Sequence, residues 1–214
     1  PEDRALRDLT RDSLCGMGLN EIQTYSFVSP KGVDYIRTAE GSWERNFVKL
    51  INPLGEENSV MRTVLMPNMM EVLARNYTRN IDKVNAFEIG NTFVNNTQED
   101  DVLPYEQYAL CIGMYGKDED FYSLKGVVEE LFHVLGIKDP IFAGEADLGA
   151  FHPGRCARIS VISGENGEPV QLGVMGEVHP DVAEQYGMEG VRIYCCELMF
   201  DAIRDNSDRT ILYT

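Results

Sequence analysis

Two hydrophobic periods run along the chain. Leu6, Leu9, Leu14 and Met17 recur at helical spacing after the acidic start Glu2-Asp3, and Gly16 and Gly18 supply a stop, which predicts a first helix. Residues 21–28, EIQTYSFV, read as one strand, and Pro30 opens a short helical turn. A polar loop over 40–46 leads into the apolar run 47–51, which Asn52 and Pro53 end. Met66, Met69, Met70, Leu73 and Tyr77 then share one face of a helix over 67–80, with Pro67 suited to its first turn. The run 84–94, VNAFEIGNTFV, is strand-like, and Gly90 in its middle predicts a bend or a bulge.

A polar loop over 95–101 precedes a strand at 106–115. Asp118 or Asp120 caps a helix whose Phe121, Leu124, Val128, Leu131 and Leu135 share one face and which Gly136 closes. CARISVIS (156–163) and PVQLGVMGEV (169–178) flank Asn166-Gly167, a strong hairpin signal. Pro180 starts a short helix, VRIYCCELMF (191–200) is the last full strand, and ILYT at 211–214 fits an edge strand or the start of a linker. Strands that follow one another through turns predict an α+β fold with a mainly antiparallel sheet covered by helices on one face. No repeat or low-complexity linker divides the chain, so residues 1–214 read as a single domain.

Composition then narrows the chemistry. With 43% apolar residues, a chain of 214 residues buries roughly 70% of its extended surface and needs neither disulfides nor a structural metal. Against 35 Asp and Glu stand 19 Lys and Arg, a net charge of -16 that repels a polyphosphate and makes the chain a poor RNA binder by itself. Cys15, Cys111, Cys156, Cys195 and Cys196 are scattered, odd in number and without a CxxC pair, as expected of reduced small hydrophobes in a cytoplasmic protein. No apolar run approaches the roughly 20 residues a membrane helix needs, so no membrane partner is expected. The chain opens on Pro1 instead of Met, which suggests a piece of a longer polypeptide.

Candidate chemistry is sparse. His133, His152 and His179 are the only imidazoles; His133 sits among apolar helical neighbours as a partly buried packing residue, and His152 and His179 each precede Pro, at turns or strand ends. With carboxylates such as Glu177 and Glu197 in adjacent strands they form no recognised metal spacing. Cys195 and Cys196 lack a neighbouring base and read as buried thiols, no GxSxG elbow is present, and Gly16-Met17-Gly18 follows a helix instead of opening one. A carboxylate pair for acid–base work stays open in so acidic a chain, although solvated surface is the default reading. Arg62, Arg75 and Arg79 form the one basic concentration; it suits surface ion pairing, or contact with an acidic partner subunit or an RNA backbone. The stripe of the first helix packs either on its own sheet or on a partner.

Five strings in order, NPLGEENSVMRTVLMPNMMEVLARN with AFEIGNTF, DFYSLKGVVEELF, FHPGRCARI and LGVMGEVHPDVAEQYGM, resemble the synthetase-like core of bacterial phenylalanyl-tRNA synthetase beta subunits across nearly the whole chain. The resemblance implies a class II aminoacyl-tRNA synthetase fold, an antiparallel sheet flanked by helices. In catalytic alpha chains a strand pattern like GRVYR supplies an Arg that grips ATP; the similar stretch here, Gly90 to Val94, puts Val94 in its place, and a branched alkyl group has no donor to offer. The third class II motif ends in a glycine-rich turn and an adenine-stacking Arg, whereas CCELMFDAIRD has no glycine, puts Phe200 and Asp201 about where the turn falls, and holds Arg204 out of register.

The resemblance therefore implies a non-catalytic scaffold without cofactor of its own, inside an enzyme that uses ATP and magnesium to join phenylalanine to its tRNA. The partner it implies is the catalytic alpha subunit in an (αβ)2 heterotetramer, with tRNA(Phe) bound through other modules. The stretch from Asp3 to Val28 resembles the dimerisation motif of the class, which turns Leu6, Leu9, Leu14 and Met17 toward a partner role. Arg62 and the stretch His152 to Arg155 would shape the alpha contact. Two other readings remain: an active class II-like ligase, revived by two arginines and a carboxylate converging over the sheet, and an unrelated carboxylate-dependent hydrolase with a deep cleft and a raised carboxyl pKa.

Overall fold

The computed structural model describes residues 2–95, 103–163 and 167–208. In chain order the elements are α1 (Glu2–Gly16), β1 (Asn20–Glu21), β2 (Phe27–Val28), α2 (Lys31–Tyr35), β3 (Val48–Lys49), β4 (Val60–Met61), α3 (Met66–Thr78), β5 (Val84–Val94) and β6 (Tyr105–Tyr115). They continue with α4 (Phe121–Val134), β7 (Ile141–Glu145), β8 (Phe151–Ser163), β9 (Glu168–Val178), α5 (Pro180–Gln185), β10 (Ile193–Met199) and α6 (Phe200–Asn206). Short 3-10 turns cover Trp43–Arg45 and Glu56–Asn58.

The main sheet has seven strands in the order β1-β5-β6-β10-β9-β8-β7, antiparallel except for the β1–β5 pair. A second sheet of three strands, β2-β4-β3, lies in the stretch between α1 and α3. This is the α+β architecture expected, with one difference: helices cover both faces. On one face α1, α4 and α6 bury Leu6, Leu14, Leu124, Leu131 and Ile203 against Phe87, Leu110, Ile112 and Leu198. On the other, α3 and α5 bury Met66, Met69, Leu73 and Val182 against Ala86, Cys111, Tyr115 and Cys195. Both sides of the central strands are therefore apolar, and in β6 the last seven positions are all buried.

Local chemistry explains where the elements begin. Asp120, not Asp118, caps α4: its carboxylate accepts from Ser123 N at 2.7 Å, and Ser123 Oγ accepts from Asp120 N at 3.2 Å, a reciprocal capping box. His179 caps α5, its Nδ1 accepting from Asp181 N at 3.1 Å ahead of Pro180.

Other expectations need correction. The run 21–28 is not one strand: Ile22 N donates to Phe87 O on the large sheet, while Phe27 and Val28 pair with Met61 and Val60 on the small one. The chain crosses between sheets at Thr24, whose N–H and hydroxyl are both taken by the Glu88 carboxylate. Gly90 makes no bulge, since β5 and β6 pair without interruption from Val84–Tyr115 to Val94–Tyr105. The irregularity lies instead at 152–155, where β8 bulges between Phe151 and Cys156 with Gly154 at φ 80°. β7 was not predicted; its IFAGE sequence is largely exposed at the sheet edge and carries no core stripe. His133 is exposed, not packed, and so is Cys15. The hairpin tip at 164–166, most of the 95–101 loop and the 211–214 segment lie outside the described residues. No helix among the described residues is long and apolar enough to cross a membrane.

Candidate functional site

Strand register brings charged groups together on the face that α3 partly covers. Glu88 on β5 stands opposite Cys111 on β6, Cys111 opposite Glu197 on β10, Glu197 opposite Val174 on β9, and Val174 opposite Arg158 on β8. Directly opposed residues share a face, so two carboxylates, a thiol and a guanidinium form one row across the sheet. The row lies inside otherwise apolar strands, AFEIG and CCELM, and a carboxylate interrupting such a strand was the signal available in the sequence.

Each charge in the row has a partner. Arg62 and Glu88 are both buried, with Nη1 and Oε1 2.9 Å apart. The guanidinium also donates from Nε to Asn91 O at 2.8 Å and from Nη1 to Thr24 Oγ1 at 2.8 Å. Glu88 accepts from Thr24 Oγ1 at 2.7 Å as well, so the ion pair is hydrogen-bonded into both the crossing strand and the sheet. Glu197 accepts from Leu65 N at 2.8 Å and Met66 N at 2.9 Å, and thereby satisfies the first donors of α3 from 131 or 132 residues away in sequence. Complete burial raises the Glu197 carboxyl to about 7, against the downward pull of those two N–H groups and of Arg62. Burial likewise holds the Cys111, Cys195 and Cys196 thiols above their ordinary range, so they are poor nucleophiles.

A cavity of about 430 Å³ opens over this row, with Trp43 at one wall and Ile36, Leu148 and Phe151 among its apolar lining. Its polar lining includes Thr92, Gln107, Glu44, Asp147 and Glu197, together with Arg37 and Arg158. Arg158 donates to Glu145 Oε2 from Nε at 3.2 Å and Nη2 at 3.1 Å, and to Gln171 Oε1 at 3.0 Å; Arg37 reaches Asp181 at 3.3 Å. Both cations are thus balanced by carboxylates, and Glu44, Asp147 and Glu197 leave the lining acidic. Such a lining repels a triphosphate.

The positions singled out by resemblance fall as follows. Val94 ends β5 on the same face as Glu88 and is buried. Phe200 is buried in the core at the first residue of α6. Arg204 donates to Asp201 at 2.9 Å and lies 3.7 Å from Asp3 of α1, so it belongs to the helix-covered face opposite the cavity. Of the expected interface residues, Leu6 and Leu14 are buried in the chain's own core, and Leu9 and Met17 pack against it half-buried. Arg62 is likewise spent internally, which separates it from Arg75 and Arg79 on the exposed side of α3. His152 and Arg155 sit on the β8 bulge at the surface, Arg155 Nη1 held 2.9 Å from Glu177 Oε1. Glu177 and Glu197 lie on opposite sheet faces, since Glu177 pairs with Tyr194, three residues from Glu197. Among the described residues no group of three or more His, Cys, Asp or Glu is placed to hold a metal ion.

A family model described as the phenylalanyl tRNA synthetase beta chain CLM domain matches residues 1–200. The phenylalanine--tRNA ligase beta subunit of Clostridium acetobutylicum is 44% identical over 201 residues, covering 94% of this chain and 24% of that protein. Its counterpart in Clostridium tetani is 40% identical over 203 residues, covering 95% and 24%. The chain therefore spans about a quarter of the length of the curated relatives it matches. Among solved structures, pyrrolysyl-tRNA synthetase from Desulfitobacterium hafniense superposes with a TM-score of 0.73 at 16% identity, over 97% of this chain and 71% of that one. That likeness establishes a class II synthetase fold and nothing further. On the match across residues 1–200 and the two clostridial relatives, the chain belongs to the phenylalanyl-tRNA synthetase beta-chain CLM domain family.

Proposed function

We propose that this chain is a non-catalytic, synthetase-like scaffold within a longer beta chain. Its parent is a phenylalanine--tRNA ligase that uses ATP and magnesium to attach phenylalanine to tRNA(Phe). On this reading the catalytic alpha subunit assembles against it in a cytoplasmic (αβ)2 heterotetramer, and other modules of the beta chain hold the tRNA. One observation carries the loss of catalysis: the cavity over the sheet offers a phosphate no uncommitted cation. Its guanidinium groups are engaged by Glu145, Gln171 and Asp181, the alkyl side chain of Val94 replaces a donor, and Phe200 fills core where a glycine turn would admit adenine.

The two active-enzyme readings find less support. Arginines do approach the sheet, but Arg62 and Arg158 serve internal carboxylates, and Glu197, the one carboxyl raised to about 7, is wholly occupied as the partner of α3. For the partner surface, the burial of Leu6 and Leu14 gives α1 an indirect role: its inner stripe fixes the helix on the core, while Arg155 and His152 remain outward. Isothermal titration of ATP with magnesium into the chain tests the scaffold reading. No heat of binding up to millimolar nucleotide is expected; saturable micromolar binding would overturn it.

A further inference from the structure

A groove of about 560 Å³, distinct from the cavity over the sheet, runs between α3, α2, the edge strand β2 and the Glu56–Asn58 turn. Its α3 wall presents Asn68, Glu71 and Arg75 at spacings of three and four residues, one helix face. Asn68 is 6% exposed; its Nδ2 donates to Tyr25 O at 3.2 Å, but its Oδ1 is buried without a hydrogen-bond partner among the described residues. A buried acceptor left unmade costs roughly 1–3 kcal/mol, so the site gains from any ligand that brings a donor. Tyr25 and Phe27 line the same groove with 84% and 47% of their surface exposed.

Charge indicates what the donor should be. Lys31 lies 3.4 Å from Glu56 and so offsets it, which leaves Glu57 and Glu71 facing Arg75 alone. Partial burial raises the Glu71 carboxyl above its ordinary value, Arg75 draws it back, and the neighbouring Glu57 adds to the rise. An ammonium or guanidinium entering between these carboxylates relieves their repulsion, and the chain's net charge of -16 favours a basic visitor. A guanidinium suits the site better, because its planar fork can serve two carboxylates and an amide oxygen together, while its stem covers aromatic surface.

We propose that this groove receives an arginine side chain from a partner polypeptide, the guanidinium lying between Glu57 and Glu71 and donating to Asn68 Oδ1, the stem resting on Tyr25 and Phe27. The site does not depend on the catalytic status of the fold. Two-dimensional NMR of the isotopically labelled chain tests it, with an acetylated and amidated valyl-arginyl-valine tripeptide as probe. Expected are saturable shifts at the Asn68 side-chain amide and at Tyr25 and Phe27, and about tenfold weaker binding of the citrulline counterpart. Glu57→Gln, at a fully surface position, should weaken the tripeptide by about threefold without altering the fold. Equal binding of the citrulline peptide, absence of saturable shifts, or free arginine or spermidine binding as tightly as the tripeptide would each overturn the proposal.

Discussion

The guanidinium of Arg62 occupies the space that a side chain at Gly90 would need: a Cβ there would fall 2.3 Å from Nη2 and 3.1 Å from Glu88 Oε1. Glycine at position 90 thus serves a close approach, with β5 continuing straight past it. Because Arg62 is anchored by Glu88, Thr24 and Asn91 O, it has little freedom to withdraw. Gly90→Ala is expected to destabilise the chain by about 1–3 kcal/mol, read from the urea midpoint. An unchanged midpoint would mean that the guanidinium moves freely.

The same ion pair predicts an asymmetric mutant cycle. Arg62→Met leaves the Glu88 carboxylate buried without its cation and should cost about 3–5 kcal/mol. Adding Glu88→Gln removes the stranded charge, and the double variant should recover a large part of that loss. Additive losses in the denaturation curves would contradict a coupled pair.

These relationships mark how far the sequence could be read. Long periodic elements were legible, because α3, α4, β5, β6 and β10 each carry their own burial pattern. The α+β class followed from strands joined by turns. What escaped was set by contacts distant in sequence. Thr24 breaks its strand to meet Glu88, 64 residues on, and Glu197 serves a helix that starts 131 residues before it. The alternation of apolar residues also does not reveal that a strand is covered on both faces until its neighbours are known, which is why helices were expected on one side only. The resemblance directed attention to Val94 and Phe200, while Glu88 and Glu197 were visible only as carboxylates in apolar strands and gained meaning from the register.

The two roles considered for α1 differ in their effect on the chain alone. Leu14 is wholly buried in the core shared with α4, so Leu14→Ala should lower stability by about 2–5 kcal/mol with no partner present. Arg4, 83% exposed and only loosely paired to Asp8 at 3.7 Å, is the control; Arg4→Ala should stay within about 0.5 kcal/mol. If Leu14→Ala melts with the parent protein and loses only subunit association, the stripe belongs to an interface instead of the core.

Glu197 gives the fold a pH dependence of defined sign. In the unfolded chain its carboxyl titrates near the ordinary 4.5, and in the folded chain at about 7. Between those values the folded state holds a proton that the unfolded state has released, so stability falls as pH rises through this window and levels off above it. The shift corresponds to a loss on the order of 3 kcal/mol at most. Arg62 and the two N–H groups of α3 act against it, and Glu44 acts with it. Glu197→Gln keeps the shape and one acceptor oxygen but cannot ionise; it should cost about 1–3 kcal/mol at pH 5 through the N–H group left unpaired. As pH rises to 8 the gap between parent and variant should narrow, because only the parent bears the cost of a buried charge. Urea denaturation of both proteins across pH 5 to 8 measures the difference, and parallel curves would show that Glu197 stays in one protonation state throughout.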